Sequence, residues 1–243
     1  IMLAELLIGR STQRNVVGAF SSLRPRSPWI MTGWLGVITG FVLLSYYSVV
    51  GGWVLHYIFL SIADSFAGQS TEATQQLFAT LSASPALQIF WHAVFMAVTI
   101  WLVARGVSRG IECGNKIMMP ALFFMLCFLF VYALTTDGAA KGIAFLMTPH
   151  WDKISTKAVL EALGQAFFSL SIGMGTLVTY GSYLNRDTQL PRAALFVTVS
   201  DTTIAILAGF VIFPLVFTFQ LEPNAGPALI FETLPAAFGQ LPF

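Results

Sequence analysis

The sequence predicts an all-α fold, a polytopic bundle of transmembrane helices, and three observations predict it. The 243 residues are 56% hydrophobic and only 9% charged, with a mean hydropathy of +0.78. Basic residues are concentrated in alternate loops. One apolar stretch carries glycines and serines that interrupt a helix at membrane depth. A water-facing surface needs roughly 25% charged residues, and 12 Lys+Arg with 11 Asp+Glu cannot supply it. This excludes a cytosolic enzyme, a secreted disulfide scaffold and a disordered chain. A net charge of +1 gives no basic face for nucleic acid. Cys113 and Cys127 lie in an apolar stretch, where nothing suggests a disulfide or a metal site. The chain opens on Ile1 within a helical apolar pattern, so it reads as an internal fragment of something larger, a single membrane domain over 1–243.

A span needs about 20 apolar residues, because the hydrocarbon core is roughly 30 Å thick and a helix rises about 1.5 Å per residue. Apolar stretches fall at 1–9, 30–62, 88–104, 117–135, 158–184 and 191–219, the first being only a helix end. Arg10, Arg14, Arg24 and Arg26 fall in one loop, Arg105, Arg109 and Lys116 in another, and Arg186 and Arg192 in a third. The loops between them hold Lys141, Lys153 and Lys157. Loops 10–28, 105–116 and 185–192 are therefore expected to be cytoplasmic, in a cell inner (plasma) membrane. On the outside, residues 63–87 hold two acids and no base. Residues 220–243 carry four prolines around the short apolar core ALIFETL. That run is too short to span and reads as an extracellular re-entrant helical loop.

Charge at membrane depth is costly and marks function by default. Glu5 and Asp201 qualify, and Asp201 lies nine residues after Arg192, roughly 13–14 Å along the helix. The stretch 164–183, GQAFFSLSIGMGTLVTYGSY, places Ser-x-Ser and then Gly-x-Gly at mid-depth. Glycine costs about 1 kcal/mol relative to alanine inside a helix. Two readings are open: a helix broken at Ser169–Gly175, or a small-residue face for a neighbouring helix. In a break, freed carbonyls and hydroxyls suit a hard cation, and a half-helix N-terminus suits a carboxylate. Tyr46 and Tyr47 lie near the centre of the span 30–62, where a buried hydroxyl needs a partner. His56, His92 and His150 lack ligand spacing, and Trp29, Trp34, Trp53 and Trp151 read mostly as interface anchors.

Three motifs in order, AELLIGRSTQRNVVGAF, GWLGVITGFVLLSYYSVVGGWVLHY and GQAFFSLSIGMGTLVTYGSYL, resemble bacterial members of the neurotransmitter:sodium symporter family over nearly the whole chain. The resemblance implies part of a five-plus-five inverted-repeat transporter fold with a broken helix. It places the chain between the end of the family's second helix and the outer loop before the eighth. The family's sites also draw on the first and eighth helices. Matched residue by residue, the resemblance implies that Tyr47 bonds the substrate carboxylate and Leu43 lines the pocket. Phe168 matches the aromatic lid, and Ser169 a position shared by substrate and sodium. Ser171 matches a substrate contact, and Met174 falls where some relatives have Phe. Gln165 matches a position near the outer gate, Tyr183 an inner-gate tyrosine, and Glu5 an acid bracing an unwound segment. Aligning AILAGFVIF with the seventh helix puts Asp201 at a sodium-site Asn and Ala205 where chloride-dependent relatives carry Ser.

The expected function is sodium-coupled symport of a neutral, hydrophobic or aromatic amino acid by alternating access, without chemistry and without chloride. The alternative is a transporter-derived amino-acid sensor or receptor without turnover. A channel wants rings of like groups along a pore. An enzyme wants a base, a nucleophile and a cofactor near one another, and neither pattern is visible.

Overall fold

In the computed structural model the described residues are 1–220 except 64, 67–70 and 107–109, with 231, 232, 234 and 235; residues 71, 72 and 153 are described by backbone alone. Among them the regular structure is helical: α1 (Met2–Thr12), α2 (Val16–Leu23), α3 (Ile30–Ile62), α4 (Thr71–Ala83), α5 (Pro85–Ala104), α6 (Glu112–Leu134), α7 (Ala139–Met147), α8 (Thr156–Ser169), α9 (Thr176–Ser182) and α10 (Leu190–Thr218). Four of these, α3, α5, α6 and α10, are long and apolar enough to cross a membrane. The stretch 158–184, expected as a fifth full-length span, is divided between α8 and α9. The expected spans 88–104 and 117–135 begin too late. α5 begins with Pro85 in its first turn, where a missing N–H costs nothing. α6 begins at Glu112, whose carboxylate pairs with Lys116 at 2.8 Å, so the loop expected over 105–116 is already helical there. Most of the segment expected as re-entrant over 220–243 lies outside the described residues.

The chain divides into two compact units, one comprising 1–45 and 149–204, the other 46–148 and 205–243. In the first, α1 packs on α9 through small residues. A Cβ on Gly9 would land on the carbonyl oxygen of Val178, and one on Gly181 would lie 2.6 Å from that of Leu6. Around this crossing Met2, Leu6, Leu177 and Leu190 form a buried cluster, and Val16, Ala19 and Val178 form another. α2 starts where the Asn15 side chain accepts the Gly18 N–H at 2.8 Å. Its burial of Val16 and Ala19 draws part of the basic loop 10–28 into the core.

The second unit has two centres. Tyr57 and Leu81 bury Phe231 to 1% exposure, and the Tyr57 hydroxyl donates to the Phe231 carbonyl at 2.8 Å. Trp53 lies edge-on to Phe78 and Phe231, at 5.4 and 5.5 Å between centroids. Its place among packed rings corrects the reading of Trp53 as an interface anchor. The residues 63–87, expected as an outer loop, contribute α4 to this cluster, because Phe78 and Leu81 lie three apart and share a helical face. At the other centre Ala133, Val211 and Leu215 are buried together. There α7 closes on Pro214, which sits inside α10 and has no N–H to offer its own helix. Gly142 leaves room for the Pro214 backbone. The Gly138 N–H donates to Thr218 Oγ1 at 3.0 Å, and that hydroxyl donates to the Pro214 carbonyl at 2.7 Å.

Candidate functional site

The site is built around the end of α8. Ser155 caps its start, accepting the Ala158 N–H at 3.2 Å. At its other end Leu170 N–H still reaches Ala166 O at 3.2 Å, and Ile172 N–H reaches Phe167 O at 2.8 Å. The chain then leaves helical geometry. Ser171 stands at φ 55°, Gly173 at φ 82° and Gly175 at φ 73°, and α9 starts at Thr176. A left-handed residue other than glycine costs roughly 1–2 kcal/mol, so Ser171 carries strain that its neighbours hold. Of the two readings of this stretch, the break at Ser169–Gly175 is the one the backbone adopts, while Gly181 beyond it serves as a packing face for α1.

Two carboxylates meet the break within the first unit. The Glu5 carboxylate on α1 accepts the Gly173 N–H at 2.9 Å through Oε1, satisfying a donor that the interrupted helix would leave orphaned. Its other oxygen, Oε2, is buried and has no hydrogen-bond partner among the described residues. The Asp201 carboxylate on α10 accepts the Ser169 hydroxyl at 2.7 Å. A carboxylate and a hydroxyl beside non-helical backbone form an all-oxygen set of the kind a hard cation takes.

Ser171 and Met174 lie in the break itself and are half-buried, as is Leu43 on α3. α3 reaches the break at Gly36, where an added Cβ would stand 3.4 Å from Gly175 Cα and the Met174 carbonyl. Phe168 is 42% exposed at the end of α8, Gln165 is exposed one turn earlier, and Tyr183 is 60% exposed just past α9. Tyr47 belongs to the second unit, edge-on to Tyr46 at 5.8 Å. Two residues that sequence reasoning used only for charge or passed over also hold this region. Arg10 donates to the carbonyls of Arg186 and Thr188, and Gln13 to that of Leu184.

The chain has relatives. A model of the sodium:neurotransmitter symporter family matches residues 76–243. YhdH, an uncharacterised sodium-dependent transporter of Bacillus subtilis, is 43% identical over 243 residues, taking in all of this chain and 54% of the relative. Human XTRP3, named as a sodium- and chloride-dependent transporter, is 27% identical over 240 residues, taking in 88% of this chain and 40% of its own. A crystal structure of MhsT in complex with L-phenylalanine matches with a TM-score of 0.92 at 46% identity, covering 99% of this chain and 55% of that one. The chain thus spans about half the length of YhdH and of MhsT. The family model covers more than half of the chain, and the chain belongs to the sodium:neurotransmitter symporter family.

Proposed function

We propose that the protein carrying this chain imports a neutral, hydrophobic or aromatic amino acid with sodium, by alternating access, across the cell's plasma membrane. The observation that carries this reading is the Ser169 hydroxyl on the Asp201 carboxylate, 2.7 Å apart at the end of an interrupted helix. In it, the Ser169 O–H keeps its proton and turns it away from the carboxylate, and sodium takes the hydroxyl and carboxylate oxygens as ligands. Occupancy of the break by the ion then favours one conformation of the chain over another, which is what coupling requires.

The amino acid lies along the same break. Ser169 and Ser171 supply polar contacts, Tyr47 donates its hydroxyl to the substrate carboxylate, and Leu43, Phe168 and Met174 form an apolar wall. The apolar wall supports the substrate class, as does the L-phenylalanine bound to MhsT. Phe168 acts as the outer lid with Gln165 beside it, Tyr183 closes the inner side, and Glu5 braces the unwound backbone. The basic segments 10–28, 105–116 and 185–192 face the cytoplasm. Asp201 provides a fixed negative charge beside the ion, which removes the need for an anion, and Ala205 has no hydroxyl to hold one.

The deciding experiment reconstitutes the full-length protein in proteoliposomes and measures uptake of each of the twenty amino acids, with sodium or choline outside. Uptake of hydrophobic or aromatic amino acids in sodium alone is expected. Equal uptake in the two media would remove the coupling. Sodium-dependent binding without any uptake would leave a sensor.

A further inference from the structure

The arginine at the end of α1 does more than set topology. Gln13 closes α1 in a left-handed conformation, φ 52°, with its N–H on Gly9 O at 2.9 Å. From the last turn of that helix Arg10 reaches across to the connection between α9 and α10. Its Nη1 lies 2.5 Å from the Thr188 carbonyl and 3.3 Å from that of Arg186. Gln13 Nε2 donates to the Leu184 carbonyl at 3.1 Å and to Arg10 O at 3.1 Å. The three carbonyls held, at 184, 186 and 188, alternate along the chain, so the side chains of Arg10 and Gln13 fix three positions of the connection. Arg10 has no carboxylate partner among the described ion pairs, and charge-assisted bonds to carbonyls take that place.

These bonds complete a set. α1 meets the break through Glu5 on Gly173, meets α9 through Gly9 and Gly181, and meets the α9–α10 connection through Arg10 and Gln13. We propose that Arg10, with Gln13, is a positioning pair that makes α1 and the α9–α10 connection one rigid body during transport. Movement of the break is thereby passed to α10, the helix that carries Asp201. The inference rests on the transport reading proposed above and assigns Arg10 no contact with ion or substrate.

The test uses the full-length protein in proteoliposomes with radiolabelled L-phenylalanine. Arg10→Ala should keep sodium-dependent binding within about twofold and lower the initial uptake rate about tenfold, the loss appropriate to one charge-assisted bond. Gln13→Ala, which leaves every charge in place, should lower uptake about threefold with binding unchanged. A cross-link then separates joint movement from simple support. In a Cys113→Ser, Cys127→Ser background, Gln13→Cys and Leu184→Cys joined by a short bifunctional thiol reagent should leave uptake intact. The same link added to Arg10→Ala should restore most of the lost rate. A link that blocks uptake would show that the two segments move apart and would overturn the proposal. So would wild-type uptake in both alanine variants, or binding and uptake lost together. Wild-type vesicles without sodium-dependent uptake of L-phenylalanine or of any other hydrophobic or aromatic amino acid would overturn the transport reading itself, and this inference with it.

Discussion

Removing the Asp201 carboxylate takes from the Ser169 hydroxyl the acceptor it holds at 2.7 Å, and in the proposed mechanism it takes the counter-charge from the ion. Asp201→Ala is expected to abolish sodium-dependent binding, read as the loss of any sodium effect on amino-acid affinity by scintillation proximity. Replacing chloride by gluconate should leave wild-type uptake unchanged, and a clear fall would show that an anion is needed after all. The two adjacent tyrosines offer an internal comparison. Tyr47→Phe should weaken amino-acid binding ten- to a hundredfold, about 1.5–3 kcal/mol for a hydroxyl on a charged carboxylate. Tyr46→Phe should weaken it far less, and reversed losses would move the role to Tyr46. Glu5, Asp201 and the serines were legible in the sequence because an acid or a polar run at membrane depth marks itself. Arg10 and Gln13 were not. Their partners are backbone carbonyls more than 170 residues away, and a carbonyl has no identity in the sequence.

Glycines test the elements that hold the site, because two of them act for different physical reasons. At Gly9 the obstacle is steric, a neighbouring carbonyl where a Cβ would sit. At Gly173 an added Cβ would meet nothing within 4 Å, and the obstacle is the backbone angle, φ 82°. Gly173→Ala should therefore cost about 1–2 kcal/mol. Gly9→Ala should cost about 1–3 kcal/mol or more, since two helix backbones must separate. Thermal unfolding in detergent is expected to show both variants melting below wild type, with Gly9→Ala the lower. Strong periodic or continuous apolarity made α3, α5, α6 and α10 readable, and the Ser-x-Ser, Gly-x-Gly run made the break readable. α2, α4 and α7 escaped because they are short and lie in stretches read as loops. What makes them helices is tertiary, such as the ring cluster that Phe78 and Leu81 join or the glycines of α7 against Pro214.

For the molecule as a whole, binding to the folded state alone raises its stability by mass action. Sodium with L-phenylalanine at a hundred times its dissociation constant should add about 2.7 kcal/mol. The melting temperature should rise in sodium and stay unmoved in potassium at equal ionic strength; an equal rise in both salts would count against a specific ion site. A different property comes from α3, a single unbroken helix of 33 residues. At about 1.5 Å per residue it is roughly 50 Å long, against a hydrocarbon layer of roughly 30 Å. About 20 Å must be absorbed by tilt or carried beyond the acyl chains, and the cost of that mismatch changes with the lipid. The energy of α3 in a bilayer thus depends on the thickness of the hydrocarbon layer. Lengthening the acyl chains of the reconstituting lipid should let α3 stand more upright, and the initial rate of the uptake proposed above is expected to change with acyl length.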